Sequence, residues 1–170
     1  MVDFKIKSEL VQSNNKSVKA QVFEASGATQ YQNNVAYYRG ASVAVFVFDL
    51  TNRDSFEHIA TWNEKFELER PGIVKMLVGT KSGSVSRTVG KDEALELARQ
   101  LGMTYWDVDS ETSFQVDQMF LDAIDQRIKM DRELEESGVV VGKLPTSQFL
   151  ILKTSHPHTW TEWIKSWWGN

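Results

Sequence analysis

At 170 residues the chain suits one domain and is long enough to bury a real core. A net charge of −4 argues against a nucleic-acid binder, which would show a basic face. The absence of cysteine excludes disulfides, thiolate metal sites, thiol catalysis and cysteine-borne lipid anchors.

Taken in chain order, Val2 to Val11 alternates apolar and polar residues, the period of a half-buried strand. Ser13-Asn14-Asn15-Lys16 is a turn signal, and Val18 to Phe23 alternates again, so an antiparallel hairpin is predicted. Gly27 to Asn34 reads as a loop. Val43 to Phe48 is an unbroken β-branched and aromatic run, as in a parallel strand covered on both faces. Asn52 to Ser55 opens a helix carrying Phe56, Ile59, Trp62, Phe66 and Leu68, stopped by Pro71-Gly72. Ile73 to Val78 is a second buried strand.

Lys91 to Leu101 is a helix with Ala94, Leu95, Leu97, Ala98 and Leu101 apolar, ended by Gly102. Thr104 to Val108 is a short strand. Ser113 is positioned to cap a long helix bearing Val116, Met119, Phe120, Ala123, Ile124 and Ile128, which Asp131 to Glu136 extends. Gly138 to Pro145 reads as a linker with a candidate strand at Val139-Val140-Val141. Gln148 to Lys153 is a short apolar strand, and Thr161 to Trp168 fits a helix. The alternation of strands and helices predicts an α/β fold. No apolar run spans a bilayer, and Met1 to Lys5 reads as neither signal nor transit sequence.

Val35-Ala36-Tyr37-Tyr38-Arg39-Gly40-Ala41, leading into Val43 to Ser55, resembles the middle of Rab-type small GTPases of the Ras superfamily. Val2-Asp3-Phe4-Lys5-Ile6-Lys7 is similar to the family's G-V-D-F-K-I. Leu77-Val78-Gly79-Thr80-Lys81 resembles L-V-G-N-K. Arg87-Thr88-Val89, then Glu93-Ala94 and Leu97-Ala98, follow the family's R-x-V, E-A and L-A spacing. The resemblance runs from Val2 to about Ile128 and implies a three-layer α/β fold with a mixed, mostly parallel sheet.

The chemical motifs of the family fit poorly. Its D-T-A-G-Q falls on Glu24-Ala25-Ser26-Gly27-Ala28, so Ala28 stands where a water-orienting Gln would be. Its guanine-reading N-K-x-D falls on Thr80-Lys81-Ser82-Gly83, and Gly83 offers no acceptor. Its S-A-K falls on Asp109-Ser110-Glu111, which places acid near an anionic ligand. The phosphate-cradling G-x-x-x-x-G-K-[ST] and the first-switch Thr find no match. Three or four lost charge-assisted contacts at about 1.5–3 kcal/mol each remove on the order of 5–12 kcal/mol. That corresponds to roughly four to nine decades in affinity.

The resulting expectation is a pseudo-GTPase: not an enzyme, without cofactor or metal, with nucleotide unlikely as a ligand. It would serve as a structural or protein-interaction subunit of a larger cytoplasmic assembly, cytoskeletal, ciliary or organellar, without a membrane anchor. Phe4, Phe23 and Tyr37 fall on the family's aromatic effector triad, with ordinary packing as the bland alternative. The alternative function is a divergent GTP-binding regulator or weak GTPase using phosphate contacts from Thr154 to Thr159.

The family's sheet begins with a central strand, phosphate loop and helix, and none is legible before Val2. Phe149-Leu150-Ile151-Leu152-Lys153, followed by a loop and the Trp-rich helix, resembles that opening unit. A circular permutation follows as a hypothesis: residues 1–136 as the family-like body, 137–147 as linker, and 148–170 as strand, loop and helix, with the strand between Val18–Phe23 and Val43–Phe48. The Trp160, Trp163, Trp167 and Trp168 stripe fits a core helix, a partner-docking tail or a membrane-surface helix. His156-Pro157-His158 is compatible with a metal pair or a solvent-facing loop. Asp107, Asp109 and Glu111 are compatible with a carboxylate cluster or with capping and solvation.

Overall fold

The computed structural model describes residues 7–13, 16–25, 40–109, 112, 115–139 and 146–153. Strands β1 and β6, and β2 outside Gln21 and Val22, are described through their backbone. The elements run β1 (Lys7–Ser13), β2 (Lys16–Ala25), β3 (Val43–Asp49), α1 (Arg53–Glu69), β4 (Val74–Thr80), α2 (Lys91–Leu101), β5 (Thr104–Asp107), α3 (Val116–Glu136) and β6 (Thr146–Lys153).

Six strands form one sheet in the order β1-β2-β6-β3-β4-β5. The β1–β2 pair is antiparallel, closing at Ser13↔Lys16. The other ladders are parallel. Strand β6 lies between β2 and β3, with Phe149 opposite Val22 on one side and Val43 on the other. It begins at Thr146, two residues before the predicted start.

Because side chains alternate along a strand, β3 and β4 divide their residues between two cores. Val43, Val45, Val47, Val74, Met76 and Val78 pack with Val116, Met119, Phe120, Ala123 and Ile124 of α3. Ala44, Phe46, Phe48 and Leu77 pack with Phe56, Ile59, Trp62 and Phe66 of α1 and Ala94 and Ala98 of α2. The sheet is therefore a central layer between α3 and the α1–α2 pair.

Several local expectations change. Leu68 is 84% exposed, because it follows the buried Phe66 by two positions and so falls on the face of α1 opposite the buried stripe. Leu95 also faces solvent, 44% exposed, while Leu97 and Leu101 pack against the core. Asn52 caps α1 as its sequence suggests, its side chain accepting from the Ser55 N–H at 3.3 Å. By contrast α3 starts at Val116 behind Gln115, in a left-handed conformation (φ 60°) with no side-chain cap bond, so Ser113 is not its N-cap. Val139 is not in a strand. Val140, Val141, His156, His158 and the Trp160–Trp168 stripe lie outside the described residues.

Buried charge is tied down. The Lys75 ammonium donates to Asn63 Oδ1 at 3.0 Å and to the Leu101 carbonyl at 2.7 Å, and pairs with Glu67 at 2.5 Å. It thus anchors the ends of α1 and α2 to β4. Arg70 donates to the Ala41 carbonyl at 2.6 Å, securing the entry to β3.

Candidate functional site

In open α/β sheets, ligands bind beyond the carboxyl ends of parallel strands, where the strand order reverses. Here the chain runs outward from β3 through β4 to β5, then returns by α3 to β6 on the other side of β3. The switch point lies between β6 and β3. The residues at and just past the carboxyl ends of β3, β4 and β5 are Asp49, Thr80 to Gly83 and Asp107 to Asp109.

Asp49 ends β3 and is nearly buried. Its Oδ1 accepts from the Thr51 N–H at 2.8 Å and the Thr51 hydroxyl at 2.6 Å. Its Oδ2 accepts from Lys81 Nζ at 2.6 Å. Burial is the largest single influence on this carboxyl and pushes its pKa up. The Lys81 and Thr51 hydrogen bonds and the Lys81 charge together outweigh it, so the pKa lies below the ordinary aspartate value. A depressed folded-state pKa contributes stability that is present above the unfolded value and lost as pH falls through the folded one. Asp49→Asn is expected to lower the neutral-pH melting temperature and to flatten its fall on the acid side of the aspartate range. Thermal scans from neutral pH down into that range check this, and parallel acid limbs for both proteins would refute it.

Lys81 adopts a left-handed backbone (φ 61°) that turns the chain out of β4. Its ammonium is paired with Asp49. Thr80 turns back into the sheet, donating from Oγ1 to the Phe48 carbonyl at 3.1 Å. The following loop is pinned to β5, with the Ser82 N–H donating to the Val108 carbonyl at 3.2 Å and the Val108 N–H to the Gly79 carbonyl at 2.8 Å.

Two family departures meet in space. A Cβ placed on Gly83 would lie 2.8 Å from Oδ2 of Asp109. A side chain at 83 would require the Asp109 carboxylate, the movable end of its side chain, to swing aside. Asp109 also accepts from the Thr112 N–H at 3.4 Å.

Of the three acids, Asp107 and Asp109 have different partners. Asp107 accepts from Arg87 at 3.2 and 3.4 Å and from the Tyr105 hydroxyl, whereas Asp109 faces Gly83. Burial above all, then the hydrogen bond to Asp107, pushes the Tyr105 phenol well up, so it stays a donor. Among the described residues no group of three His, Asp or Glu is placed to hold a metal. Glu111 lies outside them.

Arg87-Thr88-Val89 is held by Leu50, whose carbonyl accepts from the Thr88 N–H at 2.8 Å and the Val89 N–H at 3.3 Å. This contact braces the loop above β3 and β4. Gly79 lies beneath: a Cβ there would meet Leu50 Cδ2 at 2.9 Å and the Tyr105 hydroxyl at 3.0 Å. Gly79→Ala is expected to destabilise the fold by about 1–3 kcal/mol through overpacking. Urea unfolding checks it, and a midpoint equal to the parent's would show that Leu50 yields freely.

Of the other residues singled out, Glu24 and Phe23 lie on β2 opposite Ile151 and Leu150. Gly27, Ala28, Phe4 and Tyr37 lie outside the described residues. Sequence reading missed Asp49 and the Arg87–Asp107–Tyr105 group. The available signal was an acid ending an otherwise apolar strand, Val43 to Asp49.

The family model described as Ras family matches residues 1–129, and the chain belongs to that family. It is similar to Ras-related protein Rab-13 of Canis lupus familiaris, 34% identical over 122 residues, 70% of this chain and 59% of that protein. It is also similar to Ras-related protein Rab-8A of Gallus gallus, 30% identical over 138 residues, 79% of this chain and 66% of that protein. The chain therefore spans less than two thirds of the length of these relatives. The matched family segment stops before β6.

The expectation that the chain is not an enzyme is overturned by this membership, because its relatives are GTP-hydrolysing Rab proteins.

Proposed function

We propose that this chain acts as a divergent Rab-like GTP-binding regulator whose nucleotide site is rebuilt from altered parts. The observation that carries the reading is the meeting of Asp109 with Gly83 at the carboxyl ends of β4 and β5. Gly83 falls where the family has its acceptor, and a carboxylate oxygen of Asp109 lies 2.8 Å from the position of a Gly83 Cβ. In this reading β6 takes the place of the family's first strand, as in a circular permutant. The segment after Lys153, including Thr154 to Thr159, would then supply phosphate contacts at the switch point.

The purified full-length chain tests the reading by chromatography of released nucleotide, titration with fluorescent GTP and GTP turnover. Bound GDP or GTP near stoichiometry, or micromolar affinity with measurable turnover, is expected. Absence of binding into the millimolar range would overturn it.

A second reading, a protein-interaction subunit of a larger assembly, is favoured by one observation. Lys81 is committed to Asp49, which makes a fixed loop in place of one waiting for a ligand. Phe4, Phe23 and Tyr37 would be its anchor residues, and complex formation unaffected by nucleotide would support it.

A further inference from the structure

We propose that the outer edge of β5 is a docking site for an extended basic peptide, which adds to the sheet as a further strand and sets an arginine or lysine against Trp106 and Asp122. This surface does not depend on the nucleotide site.

The edge follows from the strand order, which ends at β5. Thr104 to Asp107 pair with β4 on one side. The Val108 N–H and carbonyl both turn toward β4, the first donating to the Gly79 carbonyl at 2.8 Å and the second accepting from the Ser82 N–H at 3.2 Å. Backbone groups alternate direction along a strand, so those of Tyr105 and Asp107 point outward. Among the described residues no strand takes them up. They offer an incoming strand two donors and two acceptors.

What lies beside the edge selects that strand. Thr104 and Trp106 turn their side chains toward α3, and both residues are partly exposed. Trp106 Nε1 donates to Asp122 Oδ2 at 3.0 Å, and Gln126 Nε2 donates to the same oxygen at 3.1 Å. Gln126 Nε2 also reaches Thr104 Oγ1 at 2.9 Å. The indole is thereby fixed at the rim with a carboxylate at its polar end. The α3 flank is acidic: Val116 to Gln126 holds Asp117, Asp122 and Asp125 and no lysine or arginine.

An added strand places every second side chain on this face. A cation there meets the Trp106 ring, whose face attracts it, and the charge of Asp122. A second copy of this chain is the wrong occupant, because pairing two β5 edges sets two such acidic flanks together. An acidic peptide meets the same repulsion.

The full-length chain is titrated with fluorescein-labelled, capped heptapeptides by fluorescence polarisation. One alternates arginine with valine, one alternates glutamate with valine, and the third is the arginine peptide N-methylated throughout. The arginine peptide should bind at least about ten-fold more tightly than either of the others. Amide exchange followed by nuclear magnetic resonance should show the Tyr105 and Asp107 amides protected in its complex. Asp122→Asn keeps an acceptor for the Trp106 indole and removes the charge, so it should weaken the arginine peptide about 3- to 10-fold at an unchanged melting temperature. Should that variant melt early, the three-peptide comparison on the parent still decides. Equal affinity for the arginine and glutamate peptides, no loss on N-methylation, or no protection at Tyr105 and Asp107 would each overturn the proposal. So would absence of arginine-peptide binding into the millimolar range.

Discussion

A chain ending at Gly138 is expected to be insoluble or unfolded, because it lacks β6. That strand makes two parallel ladders, from Lys19↔Thr146 to Ala25↔Leu152 on one side and from Val43↔Phe149 to Val47↔Lys153 on the other. Without it, β2 and β3 each present a row of unpaired N–H and C=O groups inside the molecule. Each buried group left unsatisfied costs roughly 1–3 kcal/mol. A handful of them exceeds the whole stability of a typical domain, about 5–15 kcal/mol. The β1–β2 hairpin would also lose its ladder to the rest of the sheet. Soluble yield and far-ultraviolet circular dichroism provide the measurement, with co-expression of residues 139–170 as a rescue. A truncated chain that melts cooperatively at the parent's temperature would show that β6 is not part of the folding unit.

The second large effect is expected at Phe46, in the middle of β3. Its ring is fully buried and meets Phe66 of α1 edge-on, with centroids 5.6 Å apart. Phe46→Ala removes the contact that seats α1 on the sheet and leaves a cavity that neighbouring elements close only in part. The cost should be about 3–5 kcal/mol by urea unfolding. Phe46→Leu should lose clearly less, since most of the volume remains. A double-mutant cycle with Phe66→Leu should give a coupling of about 0.5–1.5 kcal/mol, the part belonging to the aromatic pair. A loss below about 1 kcal/mol for Phe46→Ala would mean that the α1 layer packs independently of β3.

The elements most legible in the sequence were those whose period is set by burial. Val43 to Phe48 reads as a two-sided strand because both faces are covered, and each of its side chains is fully buried. Helix α2 matches its predicted bounds at both ends, stopped by Gly102 in a left-handed conformation (φ 64°). Stripe membership was less legible at helix ends. Leu68 is apolar but follows Phe66 by two positions, so it breaks the helical period of α1 and is exposed on the opposite face.

The site was legible as a set of departures and illegible as an arrangement. Gly83 and Asp109 are 26 positions apart, and each reads alone as a loss. Their proximity arises because β4 and β5 are adjacent parallel strands whose carboxyl ends open on one side. The same cause brings Lys81 to Asp49 across the β3–β4 ladder, where Asp49 is registered with Thr80.

The sequence by itself determined most of the described strands and helices, the two-faced burial of β3 and β4, and the family. These follow from residue-by-residue polarity and from motif order along the chain. Only the tertiary structure decided that Thr146–Lys153 is the strand between β2 and β3, and that the carboxylate at 109 stands in the space left by glycine at 83. An apolar run specifies that a strand must be buried but not between which neighbours. That choice is made by backbone hydrogen-bonding groups, which are the same in every residue but proline and leave no mark in the sequence.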